Sequence, residues 1–394
     1  MSAEPLPPVT ARADFAVDDA ELRAAASVKW TYQPADVVPA WVAEMDVRPC
    51  PAVQDAVREA VDRGVFGYPM FDTASGLPEA TAAFQRARFG WDVDPADVLA
   101  AGDVMAAVRL VLEVLCADAP VVVPTPTYPP FLDVVPLTGR EVVQVPCTAD
   151  DGGRPALDLD AVDAAFAAGA RTVLLAQPHN PLGRAFTPSE LAALREVVTR
   201  YPGGRVISDE IHAPLALPGA THTPYLSVEG TADHGVAVVA ASKAWNIPGL
   251  KCAQVVTGSA ADRAALRGVA HVANHGLSPL GAVATIAAYT DGTAWLDDLV
   301  AALDDRRTLF GELLADRLPD AGWRPMEATY LAWVDARAYD LEDPSATALA
   351  KGRVLVNPGK DFGTGYTGFV RVNLATSRER LTEVVERLAK AWTA

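Results

Sequence analysis

A rhythm of short β-branched runs separated by amphipathic segments constrains this chain more than any other feature. Val121-Val122-Val123, Thr172-Val173-Leu174-Leu175, Arg205-Val206-Ile207-Ser208, Val236-Ala237-Val238-Val239 and Gln254-Val255-Val256 read as strands. Between them, Leu157, Leu159, Val162 and Phe166 share one helical face, with Gly169 as the stop. Thr187-Pro188-Ser189-Glu190 supplies an N-cap, a Pro at the first helical position and a capping-box Glu. Continuous apolar strands joined by helical crossovers imply an α/β fold with a mostly parallel central sheet covered on both faces. In such a sheet ligands collect beyond the carboxyl ends of the strands.

The polar groups of this sequence fall at those ends. Pro126-Thr127-Tyr128 follows the first run, His179-Asn180-Pro181 the second, Asp209-Glu210 the third and Ser242-Lys243 the fourth. From about residue 290 the pattern changes to a long polar helix, Trp295 to Leu318. Two strand-like runs follow, Tyr330-Leu331-Ala332-Trp333-Val334 and Phe369-Val370-Arg371-Val372-Asn373. These read as a smaller α+β domain over 291–394, after a large domain over 51–290 and an N-terminal segment, 1–50, that joins the smaller one. A last helix, opened by Thr376 with Glu379 three residues on, docks through Leu381, Val384, Val385 and Leu388.

Composition removes several classes of function. A chain of 394 residues can bury a full enzyme core without staples. Its formal net charge of −17 repels phosphodiester backbones, so no nucleic-acid partner is expected. No apolar run approaches the roughly 20 residues of a membrane-spanning helix, so no membrane partner is expected either. The first residues, Met1 to Phe15, lack the basic and apolar blocks of a secretory signal, which points to the cytoplasm. Cys50, Cys116, Cys147 and Cys252 are too scattered for a zinc ribbon or a disulfide framework and read as buried thiols.

Taken singly, Asn180-Pro181-Leu182-Gly183 is a turn, Asp209-Glu210 a solvated helix start and Lys243 a surface lysine. Taken in order, each at a strand end, they supply what pyridoxal 5′-phosphate (PLP) chemistry needs in one pocket. That chemistry requires an amine for a Schiff base, a carboxylate to keep the pyridine nitrogen protonated and donors for the ring oxygen. For the phosphate, Gly102-Asp103-Val104 precedes a helix with Val104, Val108, Val111, Leu112 and Leu115 on its apolar face. The free N–H groups and the dipole of that helix receive an anion.

With these motifs in place, the chain resembles the PLP-dependent class I/II aminotransferase superfamily of fold type I. Within it, the chain is similar to the cystathionine β-lyase-like C–S lyases of the MalY/PatB type. The likeness spans nearly the whole length. It is carried by Ser27-Val28-Lys29-Trp30, Trp41 to Asp46, Gly67-Tyr68-Pro69, Pro126 to Phe131, Pro178 to Arg184, Ser208 to His212, Ser242 to Lys251, Ala328 to Trp333 and Phe369 to Asn373.

The resemblance implies a role for each matching position. Lys243 would be the Schiff-base lysine and proton shuttle, Asp209 the partner of the ring nitrogen, Asn180 a donor to the ring 3′-oxygen with His212 close by, and Tyr128 the aromatic stacked on the ring. Gly102, Asp103, Val104, Ser242 and Lys251 would hold the phosphate. Tyr68 would reach the phosphate of a neighbouring subunit, making a homodimer with shared active sites. Arg371 would grip the substrate α-carboxylate with its planar fork. Asp103 and Met105 depart from the small and apolar residues of the family pattern, and Ala244-Trp245 replaces a small residue followed by Phe, which points to a specialised pocket lining.

The activity implied is β-elimination from an S-substituted cysteine such as cystathionine, giving thiol, pyruvate and ammonia. Transamination between an amino acid and a 2-oxo acid is the alternative, since it shares the early steps. A regulator or binding protein that has lost catalysis is a third reading, because a fold does not fix an activity.

Overall fold

The computed structural model describes residues 13–68, 75–273 and 276–393. Its central sheet has seven strands: β1 (Val98–Ala101), β2 (Val121–Thr125), β3 (Val142–Pro146), β4 (Thr172–Ala176), β5 (Arg205–Asp209), β6 (Gly235–Val239) and β7 (Ala253–Thr257). They lie in the order β1-β7-β6-β5-β4-β2-β3. Strands β2 to β6 pair in parallel, as the crossover pattern implies, whereas β7 is antiparallel to both its neighbours, β6 and β1.

This order places the chemistry. The chain leaves β2 outward to β3 and then returns to the other side of β2 as β4, so the order reverses between β2 and β4 and a crevice opens at their carboxyl ends. The reversed direction of β7 matters equally. It starts where the parallel strands finish, so Lys251, two residues before it, belongs to the crevice, and β1 ends there too.

Alternation divides each strand between two cores. Val121 and Val123 face the helix α1 (Val104–Leu115) with Val108, Val111 and Leu112. Val122 faces the opposite layer with Phe166 of α2 (Leu159–Ala167) and Leu191 and Leu194 of α3 (Pro188–Thr199). The cap read from the sequence at α3 is present: Thr187 and Glu190 form a capping box there. Each fully buried Val or Leu contributes on the order of 2 kcal/mol, so this layering is the main source of stability.

Beyond α4 (Thr293–Arg317), a four-stranded antiparallel sheet runs β8 (Gly322–Trp323), β9 (Leu331–Asp335), β11 (Phe369–Asn373) and β10 (Asn357–Pro358) in spatial order. The last helix, α5 (Arg378–Trp392), buries Leu381, Val384, Val385 and Leu388. Its cap is Ser377, one residue after the Thr376 expected from the sequence: the Ser377 hydroxyl accepts from the N–H of Arg380 at 3.2 Å. Thr376 is engaged elsewhere, its carbonyl accepting from Arg306 Nε and its hydroxyl from Arg380 Nη1.

The N-terminal segment joins both sheets. Val38–Pro39 pairs in parallel with Val354–Leu355, and the following residues 42–46 form a strap between the smaller sheet and the Lys243 loop. Asn373 Nδ2 donates to the carbonyls of Val42 and Glu44 at 2.7 and 2.6 Å. Asn246 holds Met45 through both its backbone groups. A buried ion pair, Lys29 to Asp46 at 2.9 Å, closes the strap, with the Trp30 indole N–H donating to the same carboxylate at 2.7 Å. The thiols are all unpaired; Cys50, Cys116 and Cys252 are buried, but Cys147 is partly exposed rather than buried. No helix among the described residues is long and apolar enough to cross a membrane.

Candidate active site

At the crevice lies a cavity of about 210 Å³ lined by residues that follow several of the strands, among them Asp103, Tyr128, Asn180, Asp209, Ser242 and Lys243. Lys251, Val104 and His212 also line it. Residues far apart in the sequence thus share one space because the strand ends do.

Lys243 follows β6 in a loop pinned by its neighbour. Trp245 is fully buried, edge-on to Phe84 and Tyr289, and its indole N–H donates to the Gly292 carbonyl at 3.1 Å. The expected specialisation of the pocket at Ala244-Trp245 is therefore not found: both side chains are core, and Trp245 anchors the loop from behind. Met105, by contrast, does line the cavity. Lys243 Nζ donates to the carbonyl of Ala43 at 2.9 Å, and burial, helped by the charge of Arg371, lowers its pKa to about 8.

Asp209 closes β5, where Gln177 N–H donates to its carbonyl at 2.8 Å and so holds the ends of β4 and β5 together. Its side chain accepts from Ile211 N–H at 3.0 Å. Burial raises its pKa to about 7 against that hydrogen bond, and the neighbouring Glu210 carboxylate adds to the rise. Behind it, Glu210 is wholly buried and satisfied by Ser208 Oγ, Tyr225 N–H and His222 Nε2 at 2.9, 2.8 and 3.2 Å.

Arg371 reaches the site from β11, in register with Asn357 of β10 and Trp333 of β9. Its guanidinium donates to Asn180 Oδ1 at 3.1 Å, Asn357 Oδ1 at 2.7 Å and the Trp41 carbonyl at 3.2 Å, and lies 5.0 Å over the Phe362 ring. Burial lowers its pKa to about 10. The bond to Asn180 uses the amide oxygen and leaves the amide nitrogen as the donor. Asn180 itself is held by the turn ending at Gly183, whose φ of +64° and contact with Met326 admit no side chain: a Cβ there would lie 2.2 Å from Met326 Cβ.

His212 is buried, edge-on to Tyr330, with no hydrogen-bond partner for Nδ1 among the described residues. Burial, then the charges of Lys243 and Arg371, depress its pKa to about 3, so it is a neutral imidazole at physiological pH. Burial likewise raises the pKa of the Tyr128 phenol. Gly102 makes the turn into α1 against Gly276, whose carbonyl carbon would sit 2.8 Å from any Cβ there. Tyr68 does not line the cavity and stands 93% exposed; Pro69 lies outside the described residues.

Several members of the site left no mark in the sequence reading. The Ala43 carbonyl accepts from both Lys243 and the Tyr330 hydroxyl, each at 2.9 Å, yet a backbone group gives no side-chain signal. Asn357 could have been found only by knowing that β10 pairs beside β11.

The model of the family described as aminotransferase class I and II matches residues 42–388. The chain belongs to the class I and II aminotransferase family. It is similar to cystathionine beta-lyase of Corynebacterium glutamicum, at 37% identity over 94% of this chain and 97% of that protein. Two solved structures match closely. A candidate PLP-dependent beta-cystathionase of Corynebacterium diphtheriae superposes with a TM-score of 0.90, at 40% identity over 96% of this chain and 98% of that one. The PLP-bound C-S lyase of Staphylococcus hominis superposes with 0.87, at 26% identity over 94% and 96%.

Proposed function

We propose that this chain is a PLP-dependent C–S β-lyase that cleaves S-substituted cysteines of the cystathionine type to a thiol, pyruvate and ammonia. The observation that carries the reading is one cavity holding a half-buried amine, Lys243, and a buried carboxylate, Asp209, with the Arg371 guanidinium turned toward Asn180 beside them. The residues present fit PLP: an amine, an acid, an amide donor, an aromatic face at Tyr128 and a helix N-terminus at Asp103-Val104 all border the same space. PLP, when bound, supplies the electron sink that makes the substrate Cα proton removable.

Each residue has a task in this scheme. Lys243 would hold the cofactor and its amine would take the Cα proton; a pKa near 8 leaves part of the amine unprotonated at neutral pH. Asp209 would hold the ring nitrogen cationic. Its carboxyl is held up by burial, and a cation placed against it would draw it back to the ionised form. Asn180 would donate to the ring 3′-oxygen, and His212, a neutral imidazole lining the same cavity, would add no charge there. Arg371 takes both oxygens of the α-carboxylate and orients Cα toward Lys243. The strap carbonyl of Ala43 holds the lysine amine in place. Loss of the thiolate from Cβ, followed by hydrolysis of the remaining three-carbon enamine, consumes one water and balances the products.

The active form in this proposal is a homodimer. Tyr32, Phe66 and Tyr68 are exposed aromatics that a second copy would cover, and Tyr68 would then reach the partner's phosphate site. A cytoplasmic setting fits the unpaired thiols. The deciding experiment is release of thiol and pyruvate from cystathionine with no 2-oxo acid added. Turnover that requires a 2-oxo acid and frees no thiol would assign the chain to transamination.

A further inference from the structure

The rim where the cofactor phosphate would sit contains an acid. Asp103 is the N-cap of α1, its Oδ1 accepting from the N–H of Ala106 at 2.8 Å, while its Oδ2 pairs with Lys251 Nζ at 2.8 Å. Both side chains line the same cavity as Ser242 and Lys243. An anion entering here needs the first-turn N–H groups of α1 and the Lys251 charge. Asp103 occupies one of the first and neutralises the second. It stays ionised: burial pushes its carboxyl up, but Lys251 and the Ala106 N–H outweigh burial and hold it below the usual range. Lys251 is itself committed to this place, in the left-handed region at φ +53°, a conformation non-glycine residues seldom adopt.

We infer that Asp103 weakens cofactor retention by opposing the phosphate and competing for Lys251, so that this enzyme exchanges its cofactor more readily than the site's other groups would allow. The inference rests on reading this cavity as the PLP site. It makes Asp103 an affinity-setting residue rather than a catalytic one. Asparagine is the informative replacement, because it is isosteric and caps helices as well as aspartate, so α1 stays intact while the charge goes.

The test is equilibrium binding of PLP to apoenzyme, read by the visible Schiff-base absorbance and by tryptophan fluorescence, with pyridoxal as a probe lacking the phosphate. Asp103→Asn is expected to tighten PLP on the order of tenfold and slow its loss on dilution, leaving pyridoxal affinity within twofold. Lys251→Met is expected to weaken PLP on the order of tenfold and also spare pyridoxal. If Lys251→Met weakens PLP but Asp103→Asn does not tighten it, the phosphate site stands and the inference fails; a weaker Asp103→Asn would show that the acid serves to position Lys251. If neither substitution discriminates PLP from pyridoxal, the phosphate is not held here and both readings fall.

Discussion

Replacing Arg371 with lysine keeps the positive charge and removes the planar fork. In the folded protein the guanidinium is 4% exposed and spans Asn180, Asn357 and the Trp41 carbonyl at 3.1, 2.7 and 3.2 Å. One ammonium cannot reach all three and still offer two parallel donors to a carboxylate. Each hydrogen bond involving a charged group contributes roughly 1.5–3 kcal/mol, so loss of one substrate contact and part of the fixing frame costs about 3 kcal/mol. That corresponds to about two orders of magnitude in kcat/KM. The assay is steady-state thiol release from cystathionine by Arg371→Lys and Arg371→Met, with cofactor absorbance as a control for loading. A rise in KM with normal absorbance is expected, larger for the methionine variant. Unchanged kcat/KM in the lysine variant would remove Arg371 from carboxylate recognition.

Two further predictions concern the buried acids. Asp209→Asn should stabilise the apoenzyme at alkaline pH. The folded carboxyl has its pKa raised from 3.8 to about 7, so folding favours its protonated form and the wild type loses stability as pH rises through 7. The variant should gain a few kcal/mol over wild type at pH 8 in urea denaturation and nothing below pH 3.8; a gain that does not vary with pH would contradict the burial argument. Glu210→Leu should lower the thermal midpoint, since it strands the Ser208 hydroxyl, the Tyr225 N–H and the His222 ring at a cost of about 3 kcal/mol, whereas Glu210→Gln should cost less.

The parts of the fold that were legible in the sequence are those where one residue type has one physical use. Runs such as Val121-Val122-Val123 need burial on both faces, and the crossover rule then sends their polar followers to one crevice. Thr187 and Glu190 have one reciprocal use as a cap. Legibility stopped where tertiary contacts decide. The direction of β7 cannot be read from Gln254-Val255-Val256, since β propensity is blind to strand polarity. Asp103 departs from the family pattern, but only the structure shows it capping α1 and pairing with Lys251. The place of Trp245 is hidden in the sequence for the same reason: a large aromatic beside the key lysine belongs to the core when its indole N–H finds a carbonyl there.

Borohydride reduction of the PLP-loaded protein followed by peptide mass mapping bears most directly on the central assignment. A single pyridoxyl addition on Lys243, absent from Lys243→Ala, is the result expected. Label on Lys251 or any other lysine, or a visible absorbance band that survives Lys243→Ala, would contradict it.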